Sequence, residues 1–238
     1  MSPPPVVLLC GGQGTRIREH APHLPKPMVE VGGQPLLWHI LRHYAAHGHR
    51  RFVLCLGHLG EVIRGWAAAD PLPGLQIELV DTGVHAMTGA RVRRVAERLG
   101  DAPRFHLTYG DAVSDVDLTA LSAFHAAHGR LATVTGVHPP ARFGQLLLDG
   151  SRVRAFHEKP QVTDTFINGG YFVLERAALD RLWDDDGCTF EHEPLEGLAR
   201  DGELQAFLHA GFWQCMDTPR DWRLLDELWA QGRAPWLP

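Results

Sequence analysis

Lysine is almost missing from this chain: of its 23 basic residues, 21 are arginine and only Lys26 and Lys159 are lysine. Asparagine occurs once, at Asn168. The four cysteines, Cys10, Cys55, Cys188 and Cys215, are widely scattered with no Cys-x-x-Cys pair. Two of them sit in apolar, strand-like runs, so all four read as reduced packing residues of a cytosolic protein. There is no excess of positive charge. A net charge of −5 excludes a general nucleic-acid binder, which would be basic. Long apolar runs are missing too, since Val6 to Cys10 and Phe52 to Leu56 are far too short to cross a bilayer. The opening Met-Ser-Pro-Pro-Pro lacks the basic start and apolar stretch of a signal peptide. A soluble, cytoplasmic protein with no nucleic-acid or membrane partner is therefore expected. With 238 residues, 45% of them apolar and 21% charged, the chain can bury a substantial core, and disordered, collagen-like and coiled-coil classes are excluded.

The apolar pattern alternates between strand and helix over the first 137 residues. Strands are expected at Val6 to Cys10, Arg51 to Leu56, Leu75 to Val80, Arg104 to Tyr109 and Leu131 to Val137. Helices are expected at Pro35 to Ala46, Leu59 to Ala69, Gly89 to Leu99 and Leu118 to His128. This βαβα order implies an α/β fold with a Rossmann-like, mostly parallel mixed sheet flanked by helices. After Pro139-Pro140 the pattern changes. A hairpin is expected around Asp149-Gly150, joining Gly144 to Leu148 with Arg152 to Glu158, then a strand at Phe166 to Leu174. Helices near Ala177 to Trp183 and Glu193 to Arg200, a strand at Leu204 to Leu208 and a helix at Pro219 to Trp229 complete the chain. The expectation is one domain, with residues 1–138 as a nucleotide-binding core and residues 139–238 as an acceptor-binding lobe with a smaller antiparallel extension.

Ligands of open parallel sheets lie beyond the carboxyl ends of the strands, and the polar motifs gather there. Gly11-Gly12-Gln13-Gly14-Thr15-Arg16 follows the first strand. Three glycines in four positions let backbone N–H groups approach an anion, and Arg16 adds a bidentate phosphate donor. Both lysines stand directly before proline, in Leu24-Pro25-Lys26-Pro27 and His157-Glu158-Lys159-Pro160. Each supplies a compact point charge where the rest of the chain uses the planar arginine fork. Asp111, in Thr108-Tyr109-Gly110-Asp111, and Asp217, in Met216-Asp217-Thr218, suit Mg²⁺, which takes one or two carboxylates and fills its other positions with water and phosphate. Spacing alone leaves this reading level with helix N-capping. Asn168-Gly169-Gly170 is either a place of close ligand approach or a bulge. His39, His43 and His47 read as a solvated helix face, as do Arg91, Arg94 and Arg98. Arg93 lies on another face, near a helix start where phosphates can bind. Trp213, Trp222, Trp229 and Trp236 read as packing anchors.

Together these strings resemble the sugar-1-phosphate nucleotidylyltransferase family over nearly the whole chain. The resemblance is carried by Lys26-Pro27-Met28-Val29-Glu30-Val31-Gly32-Gly33, Leu37-Trp38-His39-Ile40, Leu79-Val80-Asp81-Thr82-Gly83 and Met87-Thr88-Gly89. Further on it rests on Thr108-Tyr109-Gly110-Asp111, Arg142-Phe143-Gly144, Ile167-Asn168-Gly169-Gly170 and Phe212-Trp213-Gln214. The Trp-His-Ile, Met-Thr-Gly and Phe-Trp-Gln-x-Met-Asp-Thr runs are similar to the cytidylyl branch. The resemblance implies a glycosyltransferase-A-like fold and a reaction joining CTP to a sugar-1-phosphate, α-D-glucose-1-phosphate first, to give CDP-glucose and pyrophosphate. It implies that Cys10, Gly11, Gly12, Gln13, Gly14, Thr15, Arg16, Lys26, Thr88, Arg93 and Gly110 hold the nucleotide. Tyr109, Gly144, Glu158, Lys159, Asn168, Gly169 and Trp213 would face the sugar phosphate, and Asp111 and Asp217 would hold Mg²⁺. Arg16, Lys26, Asp111 and Asp217 are then the catalytic set. A cytidylyltransferase with another phosphorylated acceptor is an alternative, because fold-level likeness does not fix the acceptor. A silent nucleotide or sugar-phosphate sensor is another, although such a protein would be expected to lose Lys26, Asp111 or Asp217. The segment between Gly65-Trp66 and Leu79-Val80 is shorter than in the family, where it carries subunit contacts, so a homo-oligomer is possible but not implied.

Overall fold

The computed structural model describes residues 3–12, 14, 21–139, 145–157 and 165–237, without the side chains of Gln145, Leu148 and His157. Strand β1 (Val6–Leu9) is wholly buried and starts the central sheet. The hairpin of β2 (Glu30–Val31) and β3 (Gln34–Pro35) turns on Gly32 and Gly33, whose φ angles of 61° and 76° favour glycine. Helix α1 (Leu36–Ala46) begins directly after Pro35. There follow β4 (Arg51–Leu56), α2 (Gly60–Ala68), β5 (Gln76–Asp81), α3 (Thr88–Arg94), β6 (Arg104–Tyr109), β7 (Ala112–Ser114), α4 (Leu118–His128) and β8 (Ala132–Val137). The remaining elements are β9 (Gln145–Asp149), β10 (Arg152–His157), β11 (Ile167–Glu175), α5 (Glu193–Arg200), β12 (Leu204–His209), β13 (Trp213–Cys215) and α6 (Pro219–Ala230).

The main sheet has seven strands in the order β12-β8-β11-β6-β1-β4-β5. Every neighbouring pair in it is parallel except those of β11, which runs antiparallel to both β6 and β8. Alternation along the strands divides their side chains between two cores. Val6, Leu8, Phe52 and Leu54 pack with α1, α4 and α6, while Val7, Leu9, Val53 and Cys55 pack with α3 and α5. Of the antiparallel extension expected in the second half, β9 and β10 pair as a separate two-stranded sheet, whereas β11 and β12 enter the main sheet.

Two expected helices are shorter and tighter than the pattern suggests. The stretch expected at 177–183 is a 3₁₀ helix at Arg176–Arg181, and the one expected at 89–99 is α3 followed by a 3₁₀ turn at Ala96–Leu99. The histidines of α1 are a larger correction. His39 and His43 are buried rather than solvated, His39 beneath Trp229 and Trp236 of the C-terminal segment and His43 against Val116 and Tyr171. The Trp236 indole donates to His39 Nδ1 at 3.1 Å, so Nε2 carries the proton and donates to the Val31 carbonyl at 2.9 Å. His43 Nε2 meets the Val116 carbonyl at 2.9 Å.

Candidate active site

A cavity of about 400 Å³ opens at the carboxyl ends of β1 and β6, where an open α/β sheet receives its ligand. Cys10, Gly11, Gly12 and Gly14 line it after β1, and Tyr109, Gly110 and Asp111 after β6. Lys26 and Asp217 reach it from elsewhere in the chain. Gly14 has φ 55° and lies against Lys26, whose Cβ is 3.1 Å from where a Cβ on Gly14 would stand. A Cβ on Gly110 would stand 3.0 Å from the Leu9 carbonyl oxygen, so glycine here lets β6 and β1 close together under the cavity.

Lys26 opens a 3₁₀ turn, Lys26–Met28, fixed on either side by Pro25 and Pro27. Its Nζ donates to Asp111 Oδ2 at 2.8 Å and to Asp217 Oδ1 at 2.5 Å. Burial alone would lower the ammonium's pKa, but the two carboxylates outweigh it and hold the pKa above the ordinary value. The two aspartates meet because β7 pairs antiparallel with β13, aligning Ala112 with Cys215, and the Met216 amide donates to the Asp111 carbonyl at 2.8 Å. Neither aspartate caps a helix. Asp111 lies in the turn between β6 and β7, and α6 is capped by a reciprocal box of Thr218 and Asp221. Capping, one of the two roles the spacing left open, is thus removed.

Other expected residues gather beside this cluster. Tyr109 ends β6, and its ring lies where a Cβ on Gly170 would be, 2.5 Å from Cδ2. Asn168 Nδ2 donates to the Tyr109 hydroxyl at 3.2 Å, and Trp213 Nε1 donates to the Gly169 carbonyl at 2.7 Å. The pairing of β11 with β8 is irregular between Asn168 and Phe172, so the Asn-Gly-Gly run is a bulge, with its close approaches made to Val137 and Tyr109. Thr88 lines the cavity at the start of α3. Cys10 lines it too, and burial pushes its thiol well above the usual range, so it offers no thiolate. Gln13, Thr15, Arg16, Gly144, Glu158 and Lys159 lie outside the described residues.

Of the expected arginine placements Arg98 is exposed as expected, whereas Arg93 and Arg91 depart from them. Arg93 is exposed and outside the cavity lining, and two amides at the start of α3 are bonded to protein. The Met87 amide donates to the Asp186 carbonyl at 2.8 Å and the Ala90 amide to the Cys188 carbonyl at 3.0 Å. Arg91, expected in solvent, is buried beneath the glycine loop. It donates to the Gly11 carbonyl at 3.0 Å, the Leu56 carbonyl at 2.9 Å and Thr82 Oγ1 at 2.8 Å. Burial lowers its pKa, and among the described residues no carboxylate pairs with it. The guanidinium fills the space where a Cβ on Gly11 would be, 2.1 Å away, so the first glycine of the loop makes room for Arg91. A residue not anticipated from the sequence is Glu191. Its carboxylate accepts hydrogen bonds from both the Thr88 and Tyr109 hydroxyls, each at 2.5 Å. No spacing announced it, because its partners lie 103 and 82 residues away.

Comparison with known proteins places this geometry among relatives. A model of the nucleotidyl transferase family matches residues 5–221. The glucose-1-phosphate cytidylyltransferase of Salmonella typhi is 45% identical, over 97% of this chain and 97% of its own. A probable glucose-1-phosphate cytidylyltransferase of Bacillus subtilis is 36% identical, over 97% of this chain and 98% of its own. The crystal structure of HddC from Yersinia pseudotuberculosis is similar in fold, with a TM-score of 0.75 at 22% identity, covering 95% of this chain and 100% of that one.

Proposed function

The chain belongs to the nucleotidyl transferase family, and on that premise we propose that it joins CTP to α-D-glucose-1-phosphate, giving CDP-glucose and pyrophosphate. The observation that carries this reading is near full-length identity of 45% to a glucose-1-phosphate cytidylyltransferase, with Lys26, Asp111 and Asp217 converging at the cavity. A sugar phosphate oxygen attacks the α-phosphorus of CTP in line, and pyrophosphate leaves. That oxygen is already ionised at neutral pH, so no covalent nucleophile is required, consistent with the protonated state of Cys10. Catalysis is then positioning and neutralisation of charge.

In this reading the glycine-loop amides and Arg16 bind the triphosphate, while Lys26 faces the charge that develops as pyrophosphate departs. Tyr109, Asn168, Gly169 and Trp213 are the described residues assigned to the sugar side, with Gly144, Glu158 and Lys159 completing it. Two carboxylates drawn to one point, with Asp111 over a third exposed, suit a hard divalent cation that finds its other oxygens on water and phosphate. Asp111 and Asp217 would hold Mg²⁺, which supplies charge neutralisation for the phosphates. Among the described residues no helix is long and apolar enough to cross a membrane, which is in keeping with a cytoplasmic role.

Pyrophosphate release measured for four nucleoside triphosphates against a panel of sugar-1-phosphates tests the proposal. CTP with α-D-glucose-1-phosphate should give the highest kcat/KM. A preference for UTP or dTTP overturns the nucleotide assignment, whereas CTP with another acceptor overturns only the sugar.

A further inference from the structure

Thr88 and Tyr109 both line the cavity, and each gives its single hydroxyl proton to the same carboxylate, that of Glu191. A hydroxyl has one proton to donate and two lone pairs to accept with. Thr88 Oγ1 donates to Glu191 Oε2 at 2.5 Å and already accepts from the Phe190 amide at 2.9 Å. It has no proton left for a ligand and one lone pair free. Thr88 is therefore an acceptor toward anything that enters the cavity. The choice of partner makes it so, since a free threonine rotates its hydroxyl to suit a donor or an acceptor alike.

Nucleobases differ in what they offer such an atom. Cytosine and adenine carry an exocyclic amino group, a donor, where uracil, thymine and guanine carry a carbonyl oxygen, an acceptor. A fixed acceptor bonds the amino group. It faces a carbonyl with two unpaired oxygens, which costs affinity because neither is satisfied once water is excluded. We propose that Glu191 is a positioning residue that sets nucleotide choice by accepting the Thr88 hydroxyl's one hydrogen bond, so that Thr88 accepts from the exocyclic amino group of the base. This rests on the nucleotidyltransferase reading above and adds to it the origin of the discrimination between CTP and UTP.

Two features make Glu191 suited to this. It is fixed by two hydroxyls rather than one, so it cannot turn away from Thr88 without leaving Tyr109. The Phe190 amide beside it closes the second lone pair of Thr88, leaving a single direction for the incoming donor. Tyr109 is treated in parallel, donating to Glu191 Oε1 and accepting from Asn168 Nδ2. Any change on the Tyr109 side is common to both nucleotides and cancels in their ratio.

The test is the ratio of kcat/KM for CTP to that for UTP, with glucose-1-phosphate as acceptor, in the wild-type chain and in Glu191→Gln. The amide keeps the shape but presents an NH₂ group to one of the two hydroxyls, freeing a proton for the ligand. The ratio should fall about tenfold or more, with CTP losing and UTP gaining. An unchanged ratio in both this variant and Thr88→Val, with both nucleotides weakened equally, would falsify the proposal and leave Glu191 a structural brace. Should Glu191→Gln fail to fold by thermal melt, Thr88→Val carries the test. It removes the acceptor while preserving shape, so it should lower the ratio, chiefly through loss with CTP, and an unchanged ratio overturns the proposal. Wild-type enzyme that prefers ATP, with that preference eroded in Glu191→Gln, would overturn the cytidylyl reading and support this one. Wild-type enzyme that uses CTP with a ratio indifferent to both variants would do the reverse.

Discussion

Two carboxylate arrangements border the cavity, and they are built in opposite ways. At Lys26, two carboxylates share one cation. At Glu191, one carboxylate accepts hydrogen bonds from two neutral hydroxyls. The first concentrates charge, and the strength of its interaction with phosphates does not depend on fine orientation. The second carries little beyond its own single charge, but it fixes which way two hydroxyl dipoles point. Charge suits acceleration of phosphoryl transfer, where negative charge moves, whereas hydroxyl polarity suits telling similar ligands apart. The same residue type thus supports rate in one place and selectivity in the other.

The strongest way to break this contrast is at the lysine. Lys26→Met should lower kcat by about 10²-fold or more, because a contact that strengthens in the transition state is lost, while the CTP-to-UTP ratio stays near the wild-type value. Asp111→Asn and Asp217→Asn should behave alike, with thermal melts close to wild type and turnover nearly gone. Steady-state kinetics with each nucleotide separates the outcomes, and a Lys26→Met enzyme with near-normal kcat but altered base preference would invert the assignment.

A second test sets both cavity arrangements against polar groups buried elsewhere. Burial, then the neighbouring His47, brings the His43 pKa down to about 4, and burial also lowers His39, His49 and His106. An unfolded histidine titrates near 6.5, so as pH falls below that value the unfolded chain binds protons that the folded chain refuses. Stability is then complete above about pH 6.5 and declines on acidification until the folded pKa is reached. By pH 5 His43 alone should account for roughly 2 kcal/mol. Urea titrations at pH 7, 6 and 5 measure this directly. An unfolding midpoint that does not move across that interval would mean these rings are not neutral in the folded chain.

The smallest expected effect compares neighbours in sequence. Thr218 caps α6 beside Asp217, so Thr218→Ala should cost about 1 kcal/mol of stability while changing kcat much less than Asp217→Asn does. A melt and a turnover number for each variant suffice. Loss of turnover in Thr218→Ala as severe as in Asp217→Asn would mean that the cap positions the carboxylate.

The sequence made local features legible. The buried run of β1, the proline before α1 and the glycines after β1 each act within a few residues, so pattern and turn chemistry located them. Lys26 stood out because arginine is used almost everywhere else. What stayed hidden depends on distant chain. His39 and His43 have the four-residue spacing of a polar face, and distant residues convert that face into core: Trp236, 197 residues from His39, and Val116, 73 residues from His43. Arg91 has the local appearance of a surface residue, and the carbonyl of Gly11, 80 residues earlier, gives it a buried task. Asp111 and Asp217 were each visible as carboxylates at strand ends, but the ladder of β7 with β13 that unites them has no local signature.

The antiparallel strand β11 has a consequence for the order in which the molecule can be assembled. In the main sheet, β8 and β12 connect to β6, β1, β4 and β5 only through β11. As the chain leaves the ribosome, β1, β4, β5 and β6 can form a four-stranded sheet whose β6 edge is unpaired. Strand β8 emerges next but finds no partner in that sheet, because its place is one strand away. Both wait for residues 167–175, which close the open β6 edge on one side and recruit β8 on the other. Until then a nascent chain of more than half its final length carries an exposed ladder of N–H and C=O groups, the kind of edge on which chains stick to one another. A single strand near the middle of the sheet therefore both closes that edge and joins the two groups of parallel strands.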